Sequence, residues 1–197
     1  MAPNAAADAP DRLIVEGLLL SLDAGGNPHL APMGPRVDRH LSELVLRPFR
    51  TSQTFANLAR CPWAVFHVTD DVELLARAAI GQLGRLPALE PIPGFPCPRL
   101  SDTCRWLACQ VLAVDARAER AELPCRIVAR GEVRPYFGLC RAKHAVVEAA
   151  ILATRLGIVP PDEIRAELSR LAPLVSKTGG HQERAAWQLL ETFLGHV

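Results

Sequence analysis

Short apolar runs separated by turn residues fill the first two thirds of the chain and predict β-strands. Asp23-Ala24-Gly25-Gly26-Asn27 lies between two of these runs and predicts a β-hairpin. Extended segments are predicted at residues 12–22, 28–37, 41–46, 63–69, 104–116 and 124–133. A short helix is predicted at 72–80, and a long loop rich in proline and glycine at 81–101. Local hairpins with only short helical inserts are typical of an antiparallel barrel.

The last third of the chain carries its apolar residues at helical spacing. Helices are predicted at residues 141–156, 162–171 and 182–194, with a polar, flexible connection at 176–181. We therefore expect an α+β protein. Its predicted parts are a disordered start at residues 1–10, a mainly antiparallel β-barrel with short helical inserts at 11–135, and a helical C-terminal subdomain at 136–197.

Composition and charge exclude several classes of partner. The 197 residues are 49% hydrophobic, which is enough for one domain with a sizeable core. The 22 basic and 21 acidic residues leave a formal charge of +1, so no global field favours nucleic acid or an anionic membrane. The N-terminus lacks the regions of a signal peptide, and the longest apolar helical stretch, 145–159, is too short for a membrane span. We expect a cytoplasmic protein.

The six cysteines include no C-x-x-C pair, and the six histidines are scattered along the chain. A structural zinc site therefore has little support. Since the chain has no secretory signal and is larger than most disulfide-dependent scaffolds, free thiols are expected.

The segment at residues 47–58 combines several groups that bind anions. Pro48 ends a strand-like run, and Thr51 or Ser52 can cap the helix that follows. The first turn of such a helix presents unpaired backbone N–H groups and the positive end of the helix dipole. The candidate anion ligands are Arg47, Arg50, the three hydroxyls of Thr51, Ser52 and Thr54, and Asn57. An ordinary capped helix with surface arginines would have the same spacing, so both interpretations stay open.

Four motifs in a fixed order carry a family resemblance. They are Ala31-Pro32-Met33-Gly34-Pro35, the segment 47–58, Phe66-His67-Val68-Thr69-Asp70-Asp71 and Arg141-Ala142-Lys143-His144-Ala145. Together they resemble the DUF447 family, which is similar to the FMN-binding split β-barrels of flavin reductases and pyridoxine phosphate oxidases. The resemblance implies a split β-barrel that binds FMN and forms a homodimer. It also implies a link to tetrahydromethanopterin metabolism, because several family members occur in organisms that make this compound.

The resemblance also implies roles for individual residues. It places Arg50, Thr51, Ser52 and Asn57 at the flavin phosphate, with Arg47 as a further candidate. Contacts to the flavin ring are implied for Pro32, Met33 and Gly34. A glycine permits a ligand to approach closely, although a plain turn between two prolines would explain Gly34 equally well.

Two further groups are candidate ligand contacts with structural alternatives. His67 and Thr69 share one face of a strand, but a lone histidine in an apolar strand is more often a hydrogen-bonded structural residue. The positive charges of Arg141, Lys143 and His144 at a helix start oppose the helix dipole. They would be stabilised by a flavin or substrate, which the partner subunit could hold, or by a salt bridge to Asp or Glu.

No nucleophile, base and orienting residue can be assembled from the sequence, so any chemistry would be carried by the flavin. The leading hypothesis is an FMN-binding oxidoreductase of unknown substrate. The alternatives are a module that binds FMN or another phosphorylated ligand without turnover, and a structural dimer whose site has decayed.

Overall fold

An eight-stranded antiparallel sheet is the largest element of the computed structural model, which describes residues 13–195. The strands are β1 (Leu13–Ile14), β2 (Gly17–Leu22), β3 (Pro28–Met33), β4 (Arg36–Val37), β5 (Glu43–Leu46), β6 (Trp63–Val68), β7 (Leu89–Glu90), β8 (Arg99–Leu100), β9 (Arg105–Val111) and β10 (Leu123–Glu132). The sheet order is β1-β4-β5-β10-β9-β6-β2-β3, and β7 pairs separately with β8. The predicted disordered start at residues 1–10 lies outside the described residues.

The sheet is strongly curved, so that its two faces form two hydrophobic cores. The inner face buries side chains from seven strands against one another, among them Leu19, Phe66 and Leu107. Strands near both ends of the sheet order share this core, which requires the sheet to curl like a barrel. Leu18 and Leu20 face the other core, which is shared with the helices. The predicted α+β class with an antiparallel barrel is confirmed.

The predicted hairpin is also confirmed, as the pair β2–β3. Its turn is held by the carboxylate of Asp23, which accepts hydrogen bonds from the amides of Gly25 and Asn27, both at 2.8 Å. Gly26 has a φ of +80°, a conformation that strongly favours glycine. The turn residues therefore determine the register of the two strands.

The helices of the described region are α1 (Gln53–Arg60), α2 (Val72–Ala79), α3 (Arg141–Ala153), α4 (Pro161–Thr178) and α5 (His181–Gly195). α4 is longer than predicted because it continues through Pro173. A proline removes one helical hydrogen bond, but Leu171 and Val175 on either side of it are buried and hold the helix in place. The predicted flexible connection at 176–181 is wrong, since only residues 179 and 180 separate α4 from α5.

All six cysteines have free thiols. Within residues 13–195, no helix is both long and apolar enough to cross a membrane. The same residues contain no group of three metal-ligating side chains that could hold a metal ion.

Candidate functional site

A cleft of about 400 Å³ lies between the sheet and the second half of α3. Its barrel side is formed by residues 31–34, by residues 47–49 after β5, by the start of α1 and by Arg120. Its other side is formed by one face of α3, with a contribution from α2. The volume falls within the range of roughly 300–1,000 Å³ that is usual for small-molecule sites.

The connection between β5 and α1 ends at Ser52, which caps the helix. Its Oγ accepts a hydrogen bond from Phe55 N at 3.2 Å and donates one to Phe49 O at 2.7 Å. Ser52 is thus the N-cap, one of the two caps that the sequence allowed. In the described part of the chain, the first-turn amides of Gln53 and Thr54 make no hydrogen bond. The start of α1 therefore keeps two donors and the positive end of its dipole available to an anion.

The same connection is held in place by the loop that precedes β10. The amide of Arg50 donates to that loop at 3.1 Å, and the amide of Ala121 donates back to the connection at 3.0 Å. Between these two bonds, the Arg120 guanidinium carbon lies 3.8 Å from the centre of the Phe49 ring. This cation–π contact fixes the Arg120 side chain at the cleft wall.

Arg47 reaches the cleft from the end of β5. Its Nε is buried and has no hydrogen-bond partner among residues 13–195, although Glu122 Oε1 forms an ion pair with it at 3.5 Å. Since buried donors are nearly always hydrogen-bonded, Arg47 has unused capacity for a ligand. Arg120 donates to Arg47 O at 3.2 Å, and burial together with the charge of Arg47 lowers the pKa of Arg120.

Glu16 is the acidic residue among those that line the cleft. A Cβ added to Gly34 would lie 2.7 Å from Glu16 Oε1 and 2.9 Å from Ile14 Cγ2, so a larger residue would push both side chains aside. Partial burial and the negative charge of Glu148 on α3 raise the pKa of Glu16. Glu16 therefore binds a proton more readily than an ordinary glutamate does.

Five of the predicted site residues line the cleft together: Pro32, Met33, Gly34, Arg47 and Ser52. Arg50 and Thr51 are exposed beside the cleft and are not part of its lining. The motif around residues 31–34 and the segment that starts at Arg47 thus meet in space, although β4 and β5 lie between them in sequence.

Asn57 lies away from the cleft and is fully buried. Its Nδ2 donates to Ser21 Oγ at 3.0 Å, and its Oδ1 accepts from Gln53 Nε2 at 2.8 Å. These bonds tie α1 to β2, because a buried amide must find its partners inside the protein. The structure therefore gives Asn57 a role in holding the helix rather than a place at the cleft.

His67 is also fully buried, and its ring nitrogens both have internal partners. Nε2 accepts from the amide of Leu100 at 3.0 Å, so Nδ1 carries the proton and donates to Leu18 O at 3.3 Å. Burial lowers the pKa of His67 to about 4. Thr69 accepts from Asp71 N at 3.1 Å. These contacts match the structural alternative, and neither side chain lines the cleft.

Lys143 is buried at the start of α3, where its ammonium forms an ion pair with Glu183 at 2.8 Å. It also donates to the backbone oxygen of Asp70 at 2.6 Å. Arg141 and His144 are exposed at the same end of the helix. The cleft touches only the second half of α3, so the structure does not bring these three residues to it. For Lys143 the salt-bridge alternative is the one observed.

Sequence reasoning missed the α3 wall, Phe49, Arg120 and Glu16, whereas Thr54, one of the three hydroxyls of the segment 47–58, lines the cleft. The wall residues do follow a helical repeat: Val147, Ala150, Ile151, Thr154 and Arg155. That spacing could have shown that they share one face, but an apolar stripe is also the ordinary mark of core packing. Arg120 lies in a loop without any motif, so no pattern in the sequence pointed to it.

Comparison with known proteins agrees with this architecture. The family model for the N-terminal domain of DUF447, a protein of unknown function, matches residues 15–134, and the second DUF447 model matches residues 140–192. No curated protein matches the sequence.

Several solved structures share the fold. An FMN-bound DUF447 protein from Methanosarcina mazei has a TM-score of 0.80 at 20% identity, covering 91% of this chain and 94% of its own. The flavin reductase HpaC, complexed with NADP+, has a TM-score of 0.54 at 12% identity, covering 63% of this chain and 81% of its own. A flavin reductase domain protein from an Arthrobacter species has a TM-score of 0.50 at 16% identity, covering 64% and 81%. The chain belongs to the DUF447 family, as the four sequence motifs indicated, and it has a flavin-reductase-like fold.

Proposed function

We propose that this protein is a flavoprotein that binds FMN in the cleft between the barrel and α3. The observation that carries the proposal is the chemistry of the cleft, which has a cationic, donor-rich end and apolar walls. The start of α1 and Arg47 form the cationic end, whereas residues 31–34 and the face of α3 supply the walls. The FMN-bound relative from Methanosarcina mazei, with the same fold over 91% of this chain, supports the choice of ligand.

The free hydrogen-bonding capacity of the cleft fits a phosphate monoester. Arg47 has a buried Nε without a hydrogen-bond partner in the described chain, and the amides of Gln53 and Thr54 are unused there. Hydrogen bonds to a charged group contribute roughly 1.5–3 kcal/mol each. A few of them, added to apolar burial of the ring, would give a dissociation constant in the micromolar range or below.

We further propose that the protein is an oxidoreductase, with a substrate that the sequence does not identify. Bound FMN would supply electron and hydride transfer, and the chain would bind the flavin, orient it and limit its contact with water. Glu16, whose carboxyl group has a raised pKa, is placed in the cleft to exchange a proton with a bound ligand. The family resemblance extends the proposal to a role connected with tetrahydromethanopterin.

A homodimer is proposed because a contiguous apolar segment is exposed between β10 and α3. Phe137 and Leu139 are 82% and 88% exposed. The segment is anchored, since Phe137 N donates to Asp70 Oδ2 at 2.9 Å. An anchored apolar surface of this kind is typical of a protein interface. A cytoplasmic location is also proposed, and the six free thiols are compatible with a reducing compartment.

Titration of the purified protein with FMN, followed by flavin fluorescence and absorption, tests the proposal. We expect micromolar or tighter binding, and Arg47→Ala should weaken it about tenfold, which corresponds to roughly 1.4 kcal/mol. The matched control is Arg130→Ala, which removes an exposed arginine of β10 outside the cleft. The double variant Arg50→Ala, Thr51→Ala should have a smaller effect than Arg47→Ala, because neither residue lines the cleft.

A wild-type protein that fails to bind FMN at micromolar concentrations would disprove the flavin proposal. Reduction of bound FMN by NADH or NADPH, followed by its reoxidation by a candidate substrate, would support the oxidoreductase. Tight binding without turnover against a broad set of donors and acceptors would instead favour the non-catalytic FMN-binding module.

A further inference from the structure

The second half of α3 forms one wall of the cleft, and the last residue of this wall, Arg155, is positively charged. Val147, Ala150, Ile151 and Thr154 lie on one helical face toward the cleft. Arg155 follows one residue after the C-cap, Thr154, and completes the same face. Arg155 is exposed, so its guanidinium lies where the cleft meets solvent. The helical region thus brings a positive charge to a site whose other charged groups belong to the barrel region.

Three arginines from distant parts of the chain meet in this cleft. Arg47 follows β5, Arg120 lies in the loop before β10, and Arg155 follows α3. Glu16 is the acidic residue of the lining, so the lining has more positive than negative charges. Among residues 13–195, Arg47 has an ion-pair partner in Glu122, whereas Arg120 and Arg155 form no ion pair.

The three guanidinium groups repel one another when the cleft holds no anion. Burial lowers the pKa of Arg120, and the charges of Arg47 and Arg155 lower it further. Glu119 and Glu16 each attract Arg120 less strongly than either arginine repels it, and the pKa of Arg120 is lowered overall. Like charges held together at a cost to stability are a common feature of ligand sites, because the ligand supplies the missing opposite charge.

We propose that Arg155 and Arg120 complete, together with Arg47, a three-arginine clamp for the phosphate of the flavin. The helical region would then contribute directly to cofactor selection, by favouring a flavin that carries a phosphate over riboflavin, which has none. This inference rests on the proposed function and adds two residues to it that no sequence motif contains. Arg120 is held rigidly on Phe49, while exposed Arg155 closes the clamp from the opposite wall.

The experiment compares FMN and riboflavin as probes of the full-length protein. Wild-type protein should bind FMN at least about tenfold more tightly than riboflavin, since only FMN offers charge-assisted hydrogen bonds. Arg155→Ala should weaken FMN binding by about fivefold or more and leave riboflavin binding unchanged. Arg184→Ala is the matched control, because it removes an exposed arginine of α5 that is outside the cleft lining. Equal losses for both flavins, or no loss for FMN, would overturn the clamp.

A second titration separates the clamp from the flavin proposal itself. Inorganic phosphate should raise the melting temperature of wild-type protein and of Arg184→Ala, and raise that of Arg155→Ala less. If no flavin binds but phosphate stabilises the protein through Arg155, the flavin proposal fails and the anion clamp stands. If phosphate has the same effect on wild type and Arg155→Ala, the clamp is rejected whatever the flavin result.

Discussion

Replacing Lys143 by methionine should destabilise the protein without weakening flavin binding. Lys143 is 8% exposed, and its ammonium contacts Glu183 at 2.8 Å and Asp70 O at 2.6 Å. Methionine keeps an unbranched apolar side chain of similar length and removes the charge. The substitution therefore tests the ammonium group with little change in packing volume.

The size of the loss in stability depends on how well the buried carboxylate of Glu183 is still compensated. Removing one partner of a buried ion pair costs about 3–5 kcal/mol, because the other charge is left uncompensated. Glu183 is 7% exposed but keeps a hydrogen bond from Gly180 N at 2.8 Å, so the lower end of that range is expected. A loss of about 3 kcal/mol corresponds to a decrease of about 6–12 °C in melting temperature for a chain of this size.

Urea unfolding followed by circular dichroism measures the free energy, and FMN titration well below the melting temperature measures binding. Arg141→Met is the matched control, since Arg141 is an exposed cation at the same helix start, and it should change stability by less than about 0.5 kcal/mol. Combining Lys143→Met with Glu183→Leu should recover much of the lost stability, because no buried charge is left alone. A large loss of FMN affinity in Lys143→Met with normal stability would refute the structural role.

Two other predictions concern pH and assembly. The pKa of His67 is about 4 in the folded protein against an ordinary value of 6.5, so the unfolded chain binds the extra proton between these values and stability falls as pH decreases. Urea unfolding from pH 7.5 to 5 should show a decrease in the free energy of unfolding that approaches 1.4 kcal/mol per pH unit from this residue. In His67→Gln this dependence of the free energy on pH should be smaller. An unchanged slope in the variant would show that another group causes the effect. Replacing Phe137 and Leu139 by serine should convert a dimer to a monomer in light scattering, whereas an unchanged mass would exclude this segment from the interface.

The elements that could be predicted from the sequence depend on local interactions. The turn at Asp23 and Gly26 acts within five residues, and so it determines the β2–β3 hairpin from the sequence alone. The cap at Ser52 likewise bonds to the amide three residues later. Buried apolar runs such as Leu18-Leu19-Leu20 identify a strand without revealing its neighbours. Local rules therefore recover the longer strands and the helix starts, but not the sheet order or the short pair β7–β8, which lies within the predicted loop 81–101.

The cleft could be predicted only in part, because distant segments build it. Arg120 reaches Arg47 across 73 positions, and the pairing of β5 with β10 is what brings the two together. Basic residues at the start of α3 indicated that an opposite charge must lie nearby. For Lys143 this requirement is met internally, by Glu183 and Asp70, and no sequence pattern distinguishes an internal partner from a ligand.

The two ends of α3 have separate tasks, and together they make the helical region part of the site. At its start, Ala142 N donates to Thr178 Oγ1 at 3.1 Å, and Lys143 binds the backbone after β6. The helix is thereby fixed to α4 and to the barrel at one end. Since a helix is stiff over this length, fixing its start also fixes the position of the face that ends at Arg155, about 18 Å along the axis. A region without a catalytic motif can thus determine the width and charge of the binding site, because the bond from Ala142 to Thr178 still holds the helix start when the buried ion pair is removed.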